Sequence, residues 1–194
     1  MAPPRPTPTP RERLERVLAH LSAATGLDVE ADAEYHPVAS SRPELPDVTA
    51  IVLPDVPAPG MLTGVTYGLS LVDHAAWRDA TVELVVTVSS GDRSWVRAAA
   101  YVAERLRGRS GFAPGDLFDL GEPVAPGSAI DGYVVGPLPA LGPGVVDVGE
   151  RRPLQLVGLH PVHAAERAAI KAVGVEAWLA GGVDTADVGR VPPA

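Results

Sequence analysis

The sequence has 194 residues and no cysteine, and its 16 basic and 24 acidic residues give a formal net charge of −8. A chain of this length can bury one core without disulfides or a metal, and the lack of thiols excludes a cysteine nucleophile and a cysteine-based zinc site. The acidic balance argues against nucleic-acid binding, because phosphate backbones would be repelled. No run of 18 apolar residues occurs and residues 1–10 contain no apolar core, so we expect neither a membrane span nor a signal peptide, and we expect a cytoplasmic location.

The first ten residues contain five prolines, which remove backbone donors and oppose helix formation. We therefore predict a disordered Pro-rich leader over residues 1–10. A single domain is predicted over residues 11–183, followed by a loose C-terminal tail over residues 184–194.

The first regular element is predicted directly after the leader. Between residues 11 and 25, apolar side chains recur at steps of three and four residues, and Gly26 follows at the position of a helix C-cap. This pattern predicts an amphipathic helix, and its apolar face consists of Leu14, Val17, Leu18 and Leu21.

Four strands are predicted before the middle of the chain. Residues 35–39 and 49–53 are short apolar runs in a Pro-rich stretch, so we assign them to edge strands, where proline is tolerated. Residues 61–70 and 81–89 are stronger candidates, because the second of these runs alternates with a period of two. We expect these two strands to form a hairpin.

The second half of the chain is predicted to add a helix, a long irregular segment, two strands and two closing helices. The corresponding ranges are residues 95–106, 110–128, 130–138, 154–161, 163–173 and 175–180. Asp92 or Ser94 is placed to cap the first of these helices, and Pro161 is expected to open the helix that follows it. This order of elements favours an α+β fold with a mostly antiparallel mixed sheet packed by a few helices.

Three potential metal ligands, His160, His163 and Glu166, lie three residues apart. With Pro161 opening the helix, His160 would end a strand, and only His163 and Glu166 would share the helix. The helix dipole explains an acidic residue at that position. We therefore expect no metal site, and we keep a hydrolase or metal enzyme built on these three residues as a remote alternative.

Other signatures of catalysis and of cofactor binding are missing from the sequence. The Gly-x-Ser-x-Gly turn of many serine hydrolases does not occur. Neither the Gly-x-Gly-x-x-Gly fingerprint nor the phosphate-binding loop motif occurs either. We therefore expect a protein without a cofactor and without enzymatic activity.

Loops between rigid elements often carry binding surfaces, and tryptophan is enriched at binding hot spots. Trp77 lies in a polar loop beside Arg78 and Asp79, whereas Trp95 and Trp178 lie on apolar helix stripes and are assigned to the core. The candidate partner-contacting residues are therefore the polar and aromatic loop residues Asp73, His74, Trp77, Asp116, Asp119 and Glu122.

Taken in order, several segments between residues 50 and 179 resemble the suppressor of fused family. Residues 66–70, Thr-Tyr-Gly-Leu-Ser, resemble the family's Thr-x-Gly-Met-Ser, with leucine replacing methionine. Residues 82–85, Val-Glu-Leu-Val, resemble its Glu-Leu strand. The long loop before Gly136-Pro137-Leu138-Pro139 is also similar, although Gly115-Asp116-Leu117 stands where many members have Gly-His-Thr. Residues 154–162, followed by Glu166, Gly174 and Leu179, resemble the terminal strand and the Gly-broken helix.

The resemblance implies a suppressor of fused-like fold and a non-enzymatic protein-binding domain. Animal members of the family sequester a transcription factor, and bacterial members look like immunity proteins that neutralise polymorphic toxins by direct contact. Our leading hypothesis is an immunity protein for a basic toxin domain, because a net charge of −8 would speed the encounter with a basic partner. The alternative is an adaptor or regulator that sequesters an endogenous protein.

Overall fold

The structure is a computed structural model that describes residues 8–139 and 141–192. Within these residues, eight strands form one mixed sheet and five helices pack against it, which confirms the predicted α+β class. The strands are β1 (Glu34–Val38), β2 (Val48–Pro54), β3 (Leu62–Tyr67), β4 (Thr81–Val88), β5 (Leu117–Asp119), β6 (Gly132–Gly136), β7 (Val145–Val146) and β8 (Leu154–Val162). The helices are α1 (Pro10–Thr25), α2 (Val29–Asp32), α3 (Ser94–Leu106), α4 (Glu166–Val173) and α5 (Val175–Ala180).

The strand order across the sheet is β1-β2-β3-β4-β8-β6-β5, and β7 pairs with the first residues of β8. The neighbouring strands are antiparallel except for β4 and β8, which are parallel. The predicted hairpin of β3 and β4 is confirmed, with Val65 opposite Val85. The sheet is therefore mostly antiparallel, as the order of elements predicted.

Both faces of the sheet are covered by helices, which explains why all eight residues of β4 are buried. Val17 and Leu21 of α1 share a core cluster with Val85 on one face. On the other face, α3 packs over Leu84 and Val86. Helices α4 and α5 form a smaller cluster with β6 and β8 on the α1 side of the sheet.

The start of α1 shows how the chain fixes its first element. Thr9 accepts a hydrogen bond from the backbone N–H of Glu12, while the Glu12 carboxylate accepts one from the Thr9 backbone, so the two residues form a capping box. Pro10 occupies the first helical turn, where its missing N–H costs nothing. Residues 9 and 10 thus belong to the helix start and not to a disordered leader, and residues 1–7 lie outside the described residues.

Two strand predictions need correction. Strand β2 is not an edge strand, because it lies between β1 and β3 and five of its seven residues are buried. Pro161 does not open a helix, because it lies within β8, and α4 begins only at Glu166. Proline is tolerated there because the parallel ladder with β4 already ends at Gly158.

Part of the C-terminal tail makes defined contacts with the sheet. Residues 184–190, which we name the C-terminal segment, lie against the ends of β4 and β8 and are fixed by several hydrogen bonds. The prediction of a loose tail considered only composition and could not include these long-range contacts. The short elements α2, β5 and β7 were not predicted either, because two to four residues carry too little periodicity.

Candidate functional site

Two loops from the predicted partner-contacting set, residues 73–79 and residues 110–116, meet at one end of the sheet. The indole Nε1 of Trp77 donates a hydrogen bond to the carbonyl oxygen of Gly111 over 2.8 Å. The His74 ring lies 5.8 Å from the Trp77 ring, measured between centroids. The two loops therefore support each other, although 30 residues of chain separate them.

The position of Trp77 corrects its predicted role. Its side chain is only 5% exposed and belongs to the core cluster that contains Val82 and Phe112. The neighbouring Arg78 and Asp79 are exposed, so the polar sequence around the tryptophan reflects the loop surface and not the indole. Trp77 positions the loops and offers a partner almost no surface. Trp95 and Trp178 are buried in the core, as predicted.

The two loops form walls of an open groove of about 540 Å³, which we name the loop groove. It is lined by residues 76–80, 82, 111–114, 136–138, 155–157 and 176. Apolar groups of β4 and β8, including Val82 and Val157, lie at its base, and the charged side chains lining it are Arg78, Asp79 and Glu176. Two acidic groups against one basic group give this groove an acidic character.

Of the predicted contact residues, Asp73, His74 and Asp116 belong to the loops around the loop groove. The exposed carboxylate of Asp73 lies 3.0 Å from the guanidinium of Arg152. The Asp116 carboxylate accepts a hydrogen bond from the backbone N–H of Ala113 over 2.9 Å, which fixes a turn of the second loop. Asp79 and Glu176 also line this groove but were not among the predicted residues, and Glu176 comes from the distant helix α5.

Asp119 and Glu122 lie at a different place, along α3. Glu122 lines a second groove of about 610 Å³, the helix groove, which runs between α3, the end of β1 and residues 120–124. Tyr101 of α3 lies in this groove and is 51% exposed. Asp119 forms an ion pair with Arg167 of α4 over 2.6 Å. The six predicted residues therefore do not form one continuous site.

The two segments that carry the resemblance, residues 66–70 and 82–85, meet around one buried carboxylate. Glu83 is fully buried and accepts hydrogen bonds from the Thr66 hydroxyl over 2.6 Å and from the Gly68 backbone N–H over 2.9 Å. Both the backbone N–H and the hydroxyl of Ser70 donate to the same carboxylate. The spacing of the motif thus reflects a turn wrapped around Glu83.

Gly68 has to be a glycine in this turn. Its φ is 123°, and a Cβ at this position would come within 2.7 Å of the Asp47 carbonyl oxygen. Burial raises the pKa of Glu83 above its ordinary value, and the hydrogen bonds from Thr66, Ser70 and Gly68 oppose that rise. The turn supplies donors only, so it holds Glu83 in place and does not expose it for chemistry.

Helix α1 is joined to this turn by an arginine. Arg13, which is 5% exposed, donates to the Ser70 hydroxyl over 3.1 Å, and its other terminal nitrogen contacts the Glu150 carboxylate over 2.7 Å. Ser70 therefore accepts from Arg13 while it donates to Glu83. This chain of contacts connects the α1 layer to the centre of the sheet.

The histidine cluster has its polar atoms engaged by other parts of the chain. The Nε2 of His160 lies 2.9 Å from the carbonyl oxygen of Pro137, which can only accept, so Nδ1 accepts from the Thr185 hydroxyl over 2.9 Å. Burial lowers the pKa of His160 below its ordinary value. Both ring nitrogens of His163 face carbonyl oxygens, those of Ala129 and Arg190.

Glu166 forms an ion pair with Arg190 and also accepts from the backbone N–H of His163. Over residues 8–139 and 141–192, no group of three or more histidine and acidic side chains is arranged to hold a metal ion. The arrangement joins β8 and α4 to the C-terminal segment.

Among residues 8–139 and 141–192, no helix has the length and apolar character that a membrane span requires.

Comparison with known proteins gives no match at the level of sequence, neither to a family model nor to a curated protein. Solved structures do match. A protein described as a suppressor of fused homologue from Neisseria gonorrhoeae has a TM-score of 0.68 at 16% identity, covering 94% of this chain and 97% of that chain.

Two further structures agree with this result. A chain in the crystal structure of the Sufu–Fu complex matches with a TM-score of 0.65 at 11% identity, covering 86% of this chain and 82% of that chain. Drosophila Suppressor of Fused matches with a TM-score of 0.61 at 11% identity, covering 87% of this chain and 46% of that chain. Identities this low establish the fold alone, and the chain has the suppressor of fused-like fold.

Proposed function

We propose that this protein is a non-enzymatic, cytoplasmic immunity protein that neutralises a basic toxin domain by direct binding. The observation that carries the proposal is the loop groove, an open and acidic depression between two loops that support each other. The fold adds support, because one structure with the same fold was solved as the Sufu–Fu complex.

The charges around the loop groove favour a basic partner. Asp79 and Glu176 are exposed and line the groove, whereas Asp73 of the same loop is paired with Arg152. Arg78 is the counter-charge within the groove. Together with the net charge of −8, this arrangement would raise the rate of encounter with a cationic surface and orient it toward the loops.

The buried side chains beneath the loop groove also favour binding of a partner. Trp77 and Phe112 are buried under the loops, and the hydrogen bond from Trp77 to Gly111 ties one loop to the other. A surface that is already ordered loses less conformational entropy when a partner docks. The loops therefore offer a fixed shape to the partner.

The test is a pull-down of the tagged full-length protein from its source cells at low and high salt, followed by mass spectrometry. We expect a basic protein that is retained at low salt and released at high salt. When expressed alone in a heterologous host, the retained protein should arrest growth, and co-expression of this chain should restore growth.

The groove is tested by reversing two charges, Asp79→Lys with Glu176→Lys. The matched control is Glu30→Lys with Glu44→Lys, which changes the net charge by the same amount at exposed positions outside the groove. We expect the groove variant to lose at least tenfold in affinity and the control to lose less than threefold. Equal losses would place binding elsewhere, and a retained protein without toxicity would favour the adaptor or regulator.

A further inference from the structure

Helix α3 exposes a row of side chains that the proposed function does not use. Arg97, Tyr101 and Arg105 follow one another at intervals of four residues, so they lie on the same side of the helix. All three are exposed, and Tyr101 is one of the few large aromatic residues with half of its surface open to solvent. We name these three residues the α3 stripe.

The two arginines of the α3 stripe have no ion-pair partner in the part of the chain that the structure describes. The ion pairs there form at other arginines, such as Arg13 and Arg167. The Arg105 guanidinium instead lies 5.8 Å from the centre of the Tyr101 ring, within the range of a cation–π contact. In a chain with 24 acidic and 16 basic residues, this face of α3 is a basic exception that is available to an acidic surface.

The surroundings of the α3 stripe add one carboxylate to its two cations. Arg97 and Tyr101 line the helix groove, and the exposed Glu122 lines the same groove. Tyrosine and arginine are also the residue types that most often dominate binding energy at protein interfaces. The face around α3 therefore presents an aromatic side chain between two positive charges, with a negative charge beside them.

The loop groove has the opposite arrangement of charges. Asp79 and Glu176 are its two negative groups and Arg78 is its positive group, while Val82 and Val157 form an apolar base. A tyrosine has a large apolar ring that such a base can cover. The two surfaces of this one chain are therefore complementary, because each offers the charges and the shape that the other lacks.

The spacing of the charges fits the same arrangement. Asp79 precedes β4, and α5, which carries Glu176, packs at Gly136 of β6, so the two carboxylates stand on either side of β8. Arg97 and Arg105 are eight residues apart, which is about 12 Å along a helix. Their long side chains carry the charge at the end, so two arginines can reach two separated carboxylates while Tyr101 lies between them.

Both surfaces lie on the same side of the sheet. Val82 and Val157 at the base of the loop groove pack in the core cluster that α3 covers. Two copies that face each other with this side can each present the α3 stripe to the loop groove of the other. Such a mutual exchange about a two-fold axis gives a closed dimer, which is the commonest form of protein self-association.

We propose that two copies of this chain associate through these surfaces, with the α3 stripe of each copy docked in the loop groove of the other. This inference rests on the loop groove of the proposed function and adds a regulation of it. The second copy covers the groove in the free protein, so a basic partner has to displace that copy. Partner binding and dimer formation then exclude each other.

The first test is analytical ultracentrifugation of the full-length protein at low and high ionic strength. We expect twice the mass of one chain at low salt and a shift toward one chain at high salt, because salt screens exposed charges. The stripe variant, Arg97→Glu with Arg105→Glu, should weaken the dimer at least a hundredfold. Arg151→Glu with Lys171→Glu changes the net charge equally at exposed positions outside both surfaces and should weaken it less than threefold.

A charge exchange between two variants gives the sharpest result. The groove variant, Asp79→Lys with Glu176→Lys, should also be a single chain, since its groove then repels the arginines. In an equimolar mixture, the stripe variant and the groove variant have opposite charges at both contacts of the dimer. We expect the mixture to recover the dimer to within tenfold of the unchanged protein. Misfolded variants would not recover, so the recovery separates docking from loss of structure.

The aromatic contact is tested without any change of charge. Tyr101→Ser removes an exposed side chain, so the fold should be retained, and the dimer should weaken at least tenfold. Tyr35→Ser removes another exposed tyrosine, outside both surfaces, and should weaken it less than threefold. A single chain at all concentrations of the unchanged protein would overturn the proposal. So would a dimer that persists in the stripe variant, or a mixture that does not recover.

These measurements contain no toxin, so the absence of a dimer leaves the proposed function standing. In the pull-down, the stripe variant should retain at least as much of the basic protein as the unchanged chain, because its loop groove is uncovered. A dimer that forms through these surfaces without any basic protein in the pull-down would overturn the proposed function alone.

Discussion

The two ends of the described chain are attached by similar polar contacts but different apolar ones. Arg13 in α1 contacts Ser70 and Glu150, and Arg190 in the C-terminal segment contacts Glu166 and Pro161. Helix α1 additionally buries Val17 and Leu21 completely, whereas the C-terminal segment contributes only a partly buried valine. An arginine therefore fixes where each end docks, and apolar burial determines how permanently that end stays attached.

The largest effect on stability is expected at Glu83, the buried carboxylate that is connected to α1 through Ser70 and Arg13. Glu83→Ala removes the acceptor of four hydrogen bonds and leaves the donors of Gly68 and Ser70 unpaired in the core. The free energy of unfolding should fall by about 3–5 kcal/mol, measured by urea denaturation. Glu44→Ala, at an exposed position, should change it by less than about 0.5 kcal/mol. Similar losses in both variants would refute the assigned role of Glu83.

The apolar part of the comparison is tested by one truncation in each region. Leu21→Ala removes a completely buried side chain of α1 and should lower the free energy of unfolding by about 3 kcal/mol. Val188→Ala in the C-terminal segment should lower it by less than about 1 kcal/mol, since this side chain is partly exposed. Comparable values in urea denaturation would mean that both ends are equally integral to the core.

Replacing the arginine of the C-terminal segment should lower stability less than replacing Glu83. Arg190→Ala breaks the ion pair with Glu166, but release of the segment lets water reach the carboxylate. We expect a loss of about 1–2 kcal/mol in the free energy of unfolding, below the usual cost of an unpaired buried charge. A loss as large as that of Glu83→Ala would contradict a weakly attached C-terminal segment.

The smallest effect concerns acidic pH and His160, whose neighbour Thr185 lies in the C-terminal segment. The pKa of His160 is lower in the folded protein than its ordinary value of 6.5, so the folded state favours the neutral ring. This contribution to stability is present above pH 6.5 and is lost as the pH falls through the folded-state pKa. The melting temperature of the unchanged protein should therefore drop more between pH 7 and pH 5 than that of His160→Gln. An equal drop would assign the acid sensitivity to other groups.

Sequence patterns predicted the long elements well, because residues 11–25 and 81–89 carry clear periodicities and end at glycine or polar residues. They failed for Pro161, which was assigned to a helix start although it lies in β8. Strand β8 tolerates this proline because residue 161 lies beyond the end of the hydrogen-bonded ladder with β4. Local sequence contains no information about that partner strand.

The candidate site was predictable only in part. The loop around Asp73, His74 and Trp77 was found from its polar composition, and it does form a wall of the loop groove. The burial of the Trp77 indole was not predictable, because it depends on Gly111 and Phe112 from another loop. Glu176 joins the same groove from α5, and nothing near it in the sequence indicates this position.

The sequence by itself determined the acidic charge, the lack of thiol chemistry, the main helices and strands and the segments that resemble the suppressor of fused family, because these depend on composition and on spacing within a few residues. The tertiary structure alone decided that Thr66, Gly68 and Ser70 surround Glu83 and that the C-terminal segment contacts the ends of β4 and β8. These contacts join residues far apart in the chain, so they arise only from the packing of the whole sheet.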